Sequence, residues 1–466
     1  MSFFDWLGSL WPGNKKGSTK RLSEKAFIPS GGAETSTPKI ILSPLARDKG
    51  GNISKRLGTV LTDIAGVEVF SLKNTLRLPE GAEDPMSSFM AAADEGRAWI
   101  KDEGADFLLW GEVAKEGDRV TLRLLPAPAT GGGSGAGSFE GLTDVSGIGE
   151  TLEIPTDFNP DLEPVIAAMV LATFGPTFKG ARTRLGETLG GYMEAIGPMI
   201  ENLPMGITNA QELSILNGIG NAHVAYSHLG GGAKQLGLAA KAYKKAEERV
   251  SKEAQPIAWA SIQNHLAAVL VAQGQMKKDA APLKSASLIY SNIAAALNAK
   301  TQTNDWCMAQ TNLGRSLYIL AGIEAKPEYL KTASAAYEAA LGCCNQITAP
   351  TRWADITNQY GVVLLALGEE IDGPPALEQA VAKFRDAIKV HNRDRAPVLW
   401  AQTANNLGAA CFALAKHNSQ NSLLREATDY FEGATKIYRE QGVPKQAEVI
   451  EKNLHRVKRL LISRGG

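Results

Sequence analysis

The chain has 466 residues, enough for two or three domains. Its 49 Lys and Arg balance 49 Asp and Glu, so net charge supplies no bulk attraction to nucleic acid. No apolar run reaches the length of a membrane span, and the N-terminus lacks the basic start and cleavage site of a signal peptide. The sequence therefore predicts a soluble, cytoplasmic protein.

At the N-terminus, Phe3, Phe4, Leu7 and Trp11 fall on one helical face, with Trp6 among them and Lys15 and Lys16 just beyond. Aromatic side chains beside lysines are the arrangement of an interfacial membrane helix, which makes Phe3, Phe4, Trp6, Leu7 and Trp11 candidate membrane contacts and peripheral attachment at the inner face a second reading of location. The competing reading is an end that docks on the protein's own body or on a partner. Residues 12 to 37 are rich in Gly, Ser, Thr, Pro and Lys and read as a linker, so 1–37 forms a first segment.

Residues 38–175 alternate between two periodicities. Ile40 to Leu42 is a short apolar strand, Ile53 to Ile64 has helical spacing, and Val67 to Leu72 is again a strand. A helix follows from about Pro85 to Glu103, then strands Phe107 to Val113 and Val120 to Leu125, joined by the hairpin turn Lys115-Glu116-Gly117-Asp118. A strand at Leu152 to Ile154 and a helix from Asp161 to Phe174 complete an α+β domain with a mixed sheet. The stretch Gly104-Ala105-Asp106-Phe107-Leu108-Leu109-Trp110-Gly111-Glu112-Val113, with Asp118-Arg119-Val120-Thr121-Leu122 after it, resembles the N-terminal domain of TolB and the TolB-like domains of bacterial regulatory proteins. That resemblance implies a non-catalytic domain used for protein contact, often attached to helical repeats. The chain departs from the family by inserting Gly131 to Gly137, which lacks the Lys-Ser/Thr of a phosphate loop and reads as a flexible loop.

Residues 176–211 carry Leu185, Leu189, Met193, Ile196 and Ile200 at helical spacing, broken by Pro198, and read as connecting helices that cap the first repeat against the α+β domain. In residues 212–446, Trp259, Trp306, Trp353 and Trp400 each stand 47 residues after the one before, and Glu212 opens an earlier unit without its Trp. Counted from these five starts, offset eight reads Gly220, Ala267, Gly314, Gly361 and Gly408. Offset 31 is always aromatic: Tyr243, Tyr290, Tyr337, Phe384 and Phe431. Alanine occupies offset 27 throughout, and proline closes the unit at Pro256, Pro350, Pro397 and Pro444. Offsets 27, 31 and 34 share one face of a helix, and the earlier Leu-Gly pair marks a first helix packed closely on it. A helix pair cannot bury its stripe alone, so the units must stack into an all-α solenoid.

The Leu-Gly pair, the Ala/aromatic/small triplet and the closing Pro resemble a tetratricopeptide repeat lengthened from its usual period, and Asn405-Asn406-Leu407 is similar to the string in kinesin-light-chain-like repeats. HEAT and armadillo units, whose periods are near 47 residues, are the alternative. In a tetratricopeptide-like solenoid the first helices line the concave face. That places Asn217, Asn264, Asn312, Asn358, Asn405 and Asn406 along one groove, joined by Arg315. First helices about 10 Å apart match about three residues of an extended chain, and an asparagine amide matches a peptide's N–H and C=O. These seven residues are the candidate peptide-binding set, Arg315 suiting a carboxylate. Alternatively the asparagines bond between repeats and fix the superhelix.

The final helix, 447–466, carries Ala447, Ile450, Leu454, Val457 and Leu461 as a stripe and basic residues elsewhere, the cap that a solenoid needs. Cys307, Cys343, Cys344 and Cys411 lie in the repeats as reduced, buried thiols; the adjacent Cys343 and Cys344 form a redox pair only as a second reading. The six histidines are scattered without a metal or nucleophile motif, and His265 reads as a hydrogen-bonding residue. The expectation is a non-enzymatic adapter with no cofactor and no metal, binding a protein or peptide in the groove, with no nucleic acid and no implied oligomeric state. The alternative is a membrane-peripheral assembly or regulatory factor anchored by its aromatic start.

Overall fold

The structure, a computed structural model, describes residues 37–79, 85–127, 151–174 and 182–465. The candidate membrane contacts Phe3, Phe4, Trp6, Leu7 and Trp11, nearly all of the linker and the glycine run lie outside the described residues. Contacts divide the chain into two compact units, one ending at Gln273 and one beginning at Gly274.

The first unit is built on strands β1 (Lys39–Leu42), β2 (Glu68–Ser71), β3 (Phe107–Val113), β4 (Arg119–Pro126) and β5 (Thr151–Pro155), in the order β2-β1-β3-β4-β5. β1 runs parallel to β2 and β3, whereas β3, β4 and β5 are antiparallel, so the sheet is mixed. Helices α1 (Asn52–Thr62) and α2 (Pro85–Asp102) provide the crossovers that parallel strands need. Ile40, Ile41 and Leu42 are all buried because a central strand is covered on both faces. Ile40, Leu42, Phe107 and Leu109 join a core with α1 and α3 (Glu163–Phe174); Ile41, Leu108 and Trp110 join a second core with α2. At Gly111 the backbone of β3 passes so close to β4 that a Cβ would lie 2.0 Å from the Thr121 carbonyl oxygen. Only glycine fits there.

The larger of these cores extends well beyond the sheet. Helix α4 (Arg182–Ile196) gives way at Gly197-Pro198 to a 3-10 turn, and its Leu185, Leu189 and Met193 pack with the strands. So do Ile215 and Ile219 of α5 (Asn209–Tyr226) and Ala242 of α6 (Lys234–Glu247). α5 opens with a capping box in which Gln211 N donates to Thr208 Oγ1 at 3.3 Å and Thr208 N donates to Gln211 Oε1 at 2.9 Å. It also closes the sheet edge, since Glu153 N of β5 donates to Ser214 Oγ at 2.9 Å. One core thus runs from the α+β domain into the first helical hairpin.

α7 (Pro256–Lys277) is followed by α8 (Ala280–Ala296), α9 (Thr303–Glu324), α10 (Glu328–Cys343), α11 (Pro350–Leu367), α12 (Pro374–Val390), α13 (Pro397–His417), α14 (Asn421–Glu440) and α15 (Pro444–Ser463). From α8 onward each helix packs on the next, and α9, α11, α13 and α15 also touch one another in that order. The chain is therefore an α+β domain followed by an all-α solenoid of helical hairpins. Among the described residues, no helix is long and apolar enough to cross a membrane.

Candidate interaction face on the first helices

The hairpins are made by two recurring local devices. The first is the turn that ends the second, third and fourth pairs: Asn298 Oδ1 accepts from Lys300 N at 2.9 Å, Asn345 Oδ1 from Ile347 N at 2.7 Å, and Asn392 Oδ1 from Asp394 N at 2.8 Å. These are Asx turns, in which the side chain replaces a backbone partner and turns the chain into the next first helix. The second is a glycine beneath an aromatic ring. A Cβ at Gly220 would stand 2.4 Å from Tyr243, one at Gly314 2.8 Å from Tyr337, and one at Gly361 2.7 Å from Phe384. The missing side chain is what lets the ring of the second helix lie on the backbone of the first.

In the first unit, Asn217 is half-buried and its Oδ1 lies 2.8 Å from His265 Nδ1. Burial pushes the His265 imidazole down to about 4, so it is neutral near pH 7 and Nδ1–H donates to the amide oxygen. The same ring lies 5.4 Å from that of Tyr243, whose hydroxyl donates to Asn221 Oδ1 at 2.5 Å. Asn264 is buried.

In the second unit, Asn312, Asn358, Asn405 and Asn406 are all buried. Asn406 Nδ2 donates to Asn358 Oδ1 at 3.2 Å, joining α13 to α11, while the buried Asn405 Oδ1 has no hydrogen-bond partner among the described residues. Arg315 remains half-buried, with its charge near the Tyr290 phenol, which burial raises and Arg315 opposes. The structure thus brings Asn358 and Asn406 together and sets most of the asparagine amides below the surface. Flanking them on the same helices, Gln359 and Gln402 are exposed and the Asp355 side chain is half-exposed.

Sequence reasoning missed a polar cluster at the base of the fourth hairpin. His391, only 3% exposed, closes α12; its Nδ1 lies 2.7 Å from Thr403 Oγ1 of α13 and its Nε2 3.1 Å from Asp355 Oδ1 of α11. The available signal was position: His391 and Cys344 occupy the place that Val250 and Leu297 fill with apolar side chains. Thr403 is fully buried, so the cluster clips three helices together and offers no accessible nucleophile. Among the described residues there is no group of His, Cys, Asp and Glu that could hold a metal ion.

No family model matches the chain, and no curated protein matches it. Among solved structures, it is similar to a Rap protein complexed with Competence and Sporulation Factor, at 14% identity over 66% of this chain and 77% of that chain. The TM-score is 0.32, too low to assign a fold by itself.

Proposed function

We propose that the chain is a non-enzymatic, cytoplasmic adapter that binds an extended segment of a partner protein along the first-helix face of its second unit. The observation that supports this reading is the side-by-side contact of α9, α11 and α13, helices that carry Arg315, Asp355, Gln359 and Gln402, none of them fully buried. Guanidinium, carboxylate and primary amide groups on neighbouring helices match the charges and backbone polar groups of an extended chain. In this reading the asparagines have two roles. Asn358 and Asn406 hold neighbouring helices, and the buried Asn405 lies beneath the face rather than on it. The resemblance of the N-terminal domain to the TolB family supports a second protein contact there.

The test is affinity capture from the native cytosol with wild-type chain and with Arg315→Glu/Gln402→Glu, each first shown to melt at the same temperature. Partners lost by the variant support the face as the binding surface. Equal capture by both proteins overturns it.

A further inference from the structure

Cys343 and Cys344 adjoin in sequence, yet the fold gives Cys344 a different sulfur neighbour. Cys344 follows the last residue of α10, and its N–H donates to the Ala340 carbonyl oxygen at 3.1 Å. Cys307, in α9, donates its thiol to that same oxygen at 3.4 Å. The shared acceptor places the two residues side by side at the base of the hairpin α9–α10. The sequence-adjacent pair is the poorer candidate, because neighbouring Cα atoms across a trans peptide are about 3.8 Å apart, below the range of about 4.4–6.8 Å that disulfides favour. In the two following hairpins the equivalent positions hold Ala354 with His391 and Ala401 with Tyr438, so the sulfur pair belongs to this hairpin alone among those three.

We propose that Cys307 and Cys344 form a redox pair that closes into an intramolecular disulfide when the folded protein meets hydrogen peroxide. Cys344 is the entry sulfur: it keeps a margin of exposure at 9%, against 2% for Cys307. The Cys344 thiolate attacks one peroxide oxygen, the O–O bond breaks, and the departing hydroxide takes a proton to leave as water, giving a sulfenic acid. Cys307 sulfur then attacks the Cys344 sulfur, the S–O bond breaks, and the hydroxide leaves as water with the Cys307 proton. Two thiols and one peroxide become one disulfide and two waters. Burial raises both thiols, Cys307 to about 11, so the thiolate is scarce near pH 7 and closure is slow. Its rate rises with pH.

The experiment treats the folded full-length chain with hydrogen peroxide at pH 7 and pH 8.5, traps remaining thiols with N-ethylmaleimide, and maps peptides without reduction. The proposal expects a linked Cys307–Cys344 peptide lighter by two hydrogens, formed faster at the higher pH, reopened by dithiothreitol, and retained in Cys343→Ser. Cys307→Ser should lose the linkage and instead accumulate oxidised, unbridged Cys344. A Cys343–Cys344 linkage, or all thiols still alkylated after a peroxide exposure that oxidises free cysteine, overturns the proposal. Retention of the native circular dichroism spectrum during treatment ensures that the linkage forms in the folded state.

Discussion

Asn406 of α13 donates its side-chain amide to Asn358 of α11 at 3.2 Å across 48 residues of sequence. The same separation joins Asn217 to His265 in the first unit. In both cases a residue at one first-helix position reaches the next position on the following first helix, so polar side chains hold the stack in register from within. Replacing Asn358 by Ala leaves a buried N–H₂ on Asn406 without its acceptor, which costs about 1–3 kcal/mol. Asn358→Ala, Asn406→Ala and the double variant, followed by urea unfolding, should show coupling of about 1 kcal/mol. Simple additivity would mean that the contact does no holding.

Gly361 is expected to tolerate no side chain. Alanine there gains about 1 kcal/mol of helix propensity but drives a Cβ to 2.7 Å from the rigid Phe384 ring, an overpacking that costs about 1–3 kcal/mol. Gly361→Ala should lower the melting temperature, and combining it with Phe384→Leu should recover part of the loss. A Gly361→Ala variant that melts above wild type would show that the ring moves aside freely.

His265 makes stability depend on pH. Its folded value of about 4 lies below the 6.5 of a free histidine, so the unfolded chain binds the proton more readily. The contribution is complete above pH 6.5 and is lost as pH falls toward 4. Its ceiling is about 3 kcal/mol, reduced by the partial exposure of the residue. Burial lowers His223 as well, so it adds a slope of the same sign. His265→Asn should flatten the stability profile between pH 6.5 and 4 while leaving the plateau above it nearly unchanged. An unchanged slope would place the proton uptake elsewhere.

His391 bonds both ring nitrogens inside the second unit. His391→Leu matches the apolar residue of the second hairpin but removes both bonds and strands the fully buried Thr403 hydroxyl away from its imidazole. A loss of about 1–3 kcal/mol in chemical unfolding is expected, with partial recovery in His391→Leu/Thr403→Val. No difference between the single and double variants would mean that Thr403 is satisfied without the ring.

The order of strands and helices is legible because each element carries its own period: β1 is apolar from Ile40 to Leu42, and the second helices repeat an alanine and an aromatic on one stripe. The glycine and the aromatic are visible separately, and only the fold shows that one lies beneath the other. The inward setting of Asn358 and Asn406 is not legible, since their helix position borders both the neighbouring helix and solvent, and the crossing of α11 and α13 decides which they meet. The Asx turns at Asn298, Asn345 and Asn392 recur as regularly as the tryptophans but fall in polar loops, where one asparagine does not stand out. The His391–Asp355 contact and the Cys307–Ala340 contact that sets Cys307 beside Cys344 each join residues more than 30 apart in sequence, beyond the reach of any local pattern.

The single core shared by the sheet, α4, α5 and α6 fixes one end of the helical hairpins in the first unit. A stack of repeats normally frays at both ends, because each terminal unit has only one neighbour to stabilise it. Here the first hairpin is pinned by the strands beneath it and by Ser214 at the edge of β5, whereas α15 carries exposed charge along its outer side. Within the second unit, opening should therefore begin at α15. Amide exchange should be faster in α15 than in α11, and in the first unit α5 should be among the slowest helices.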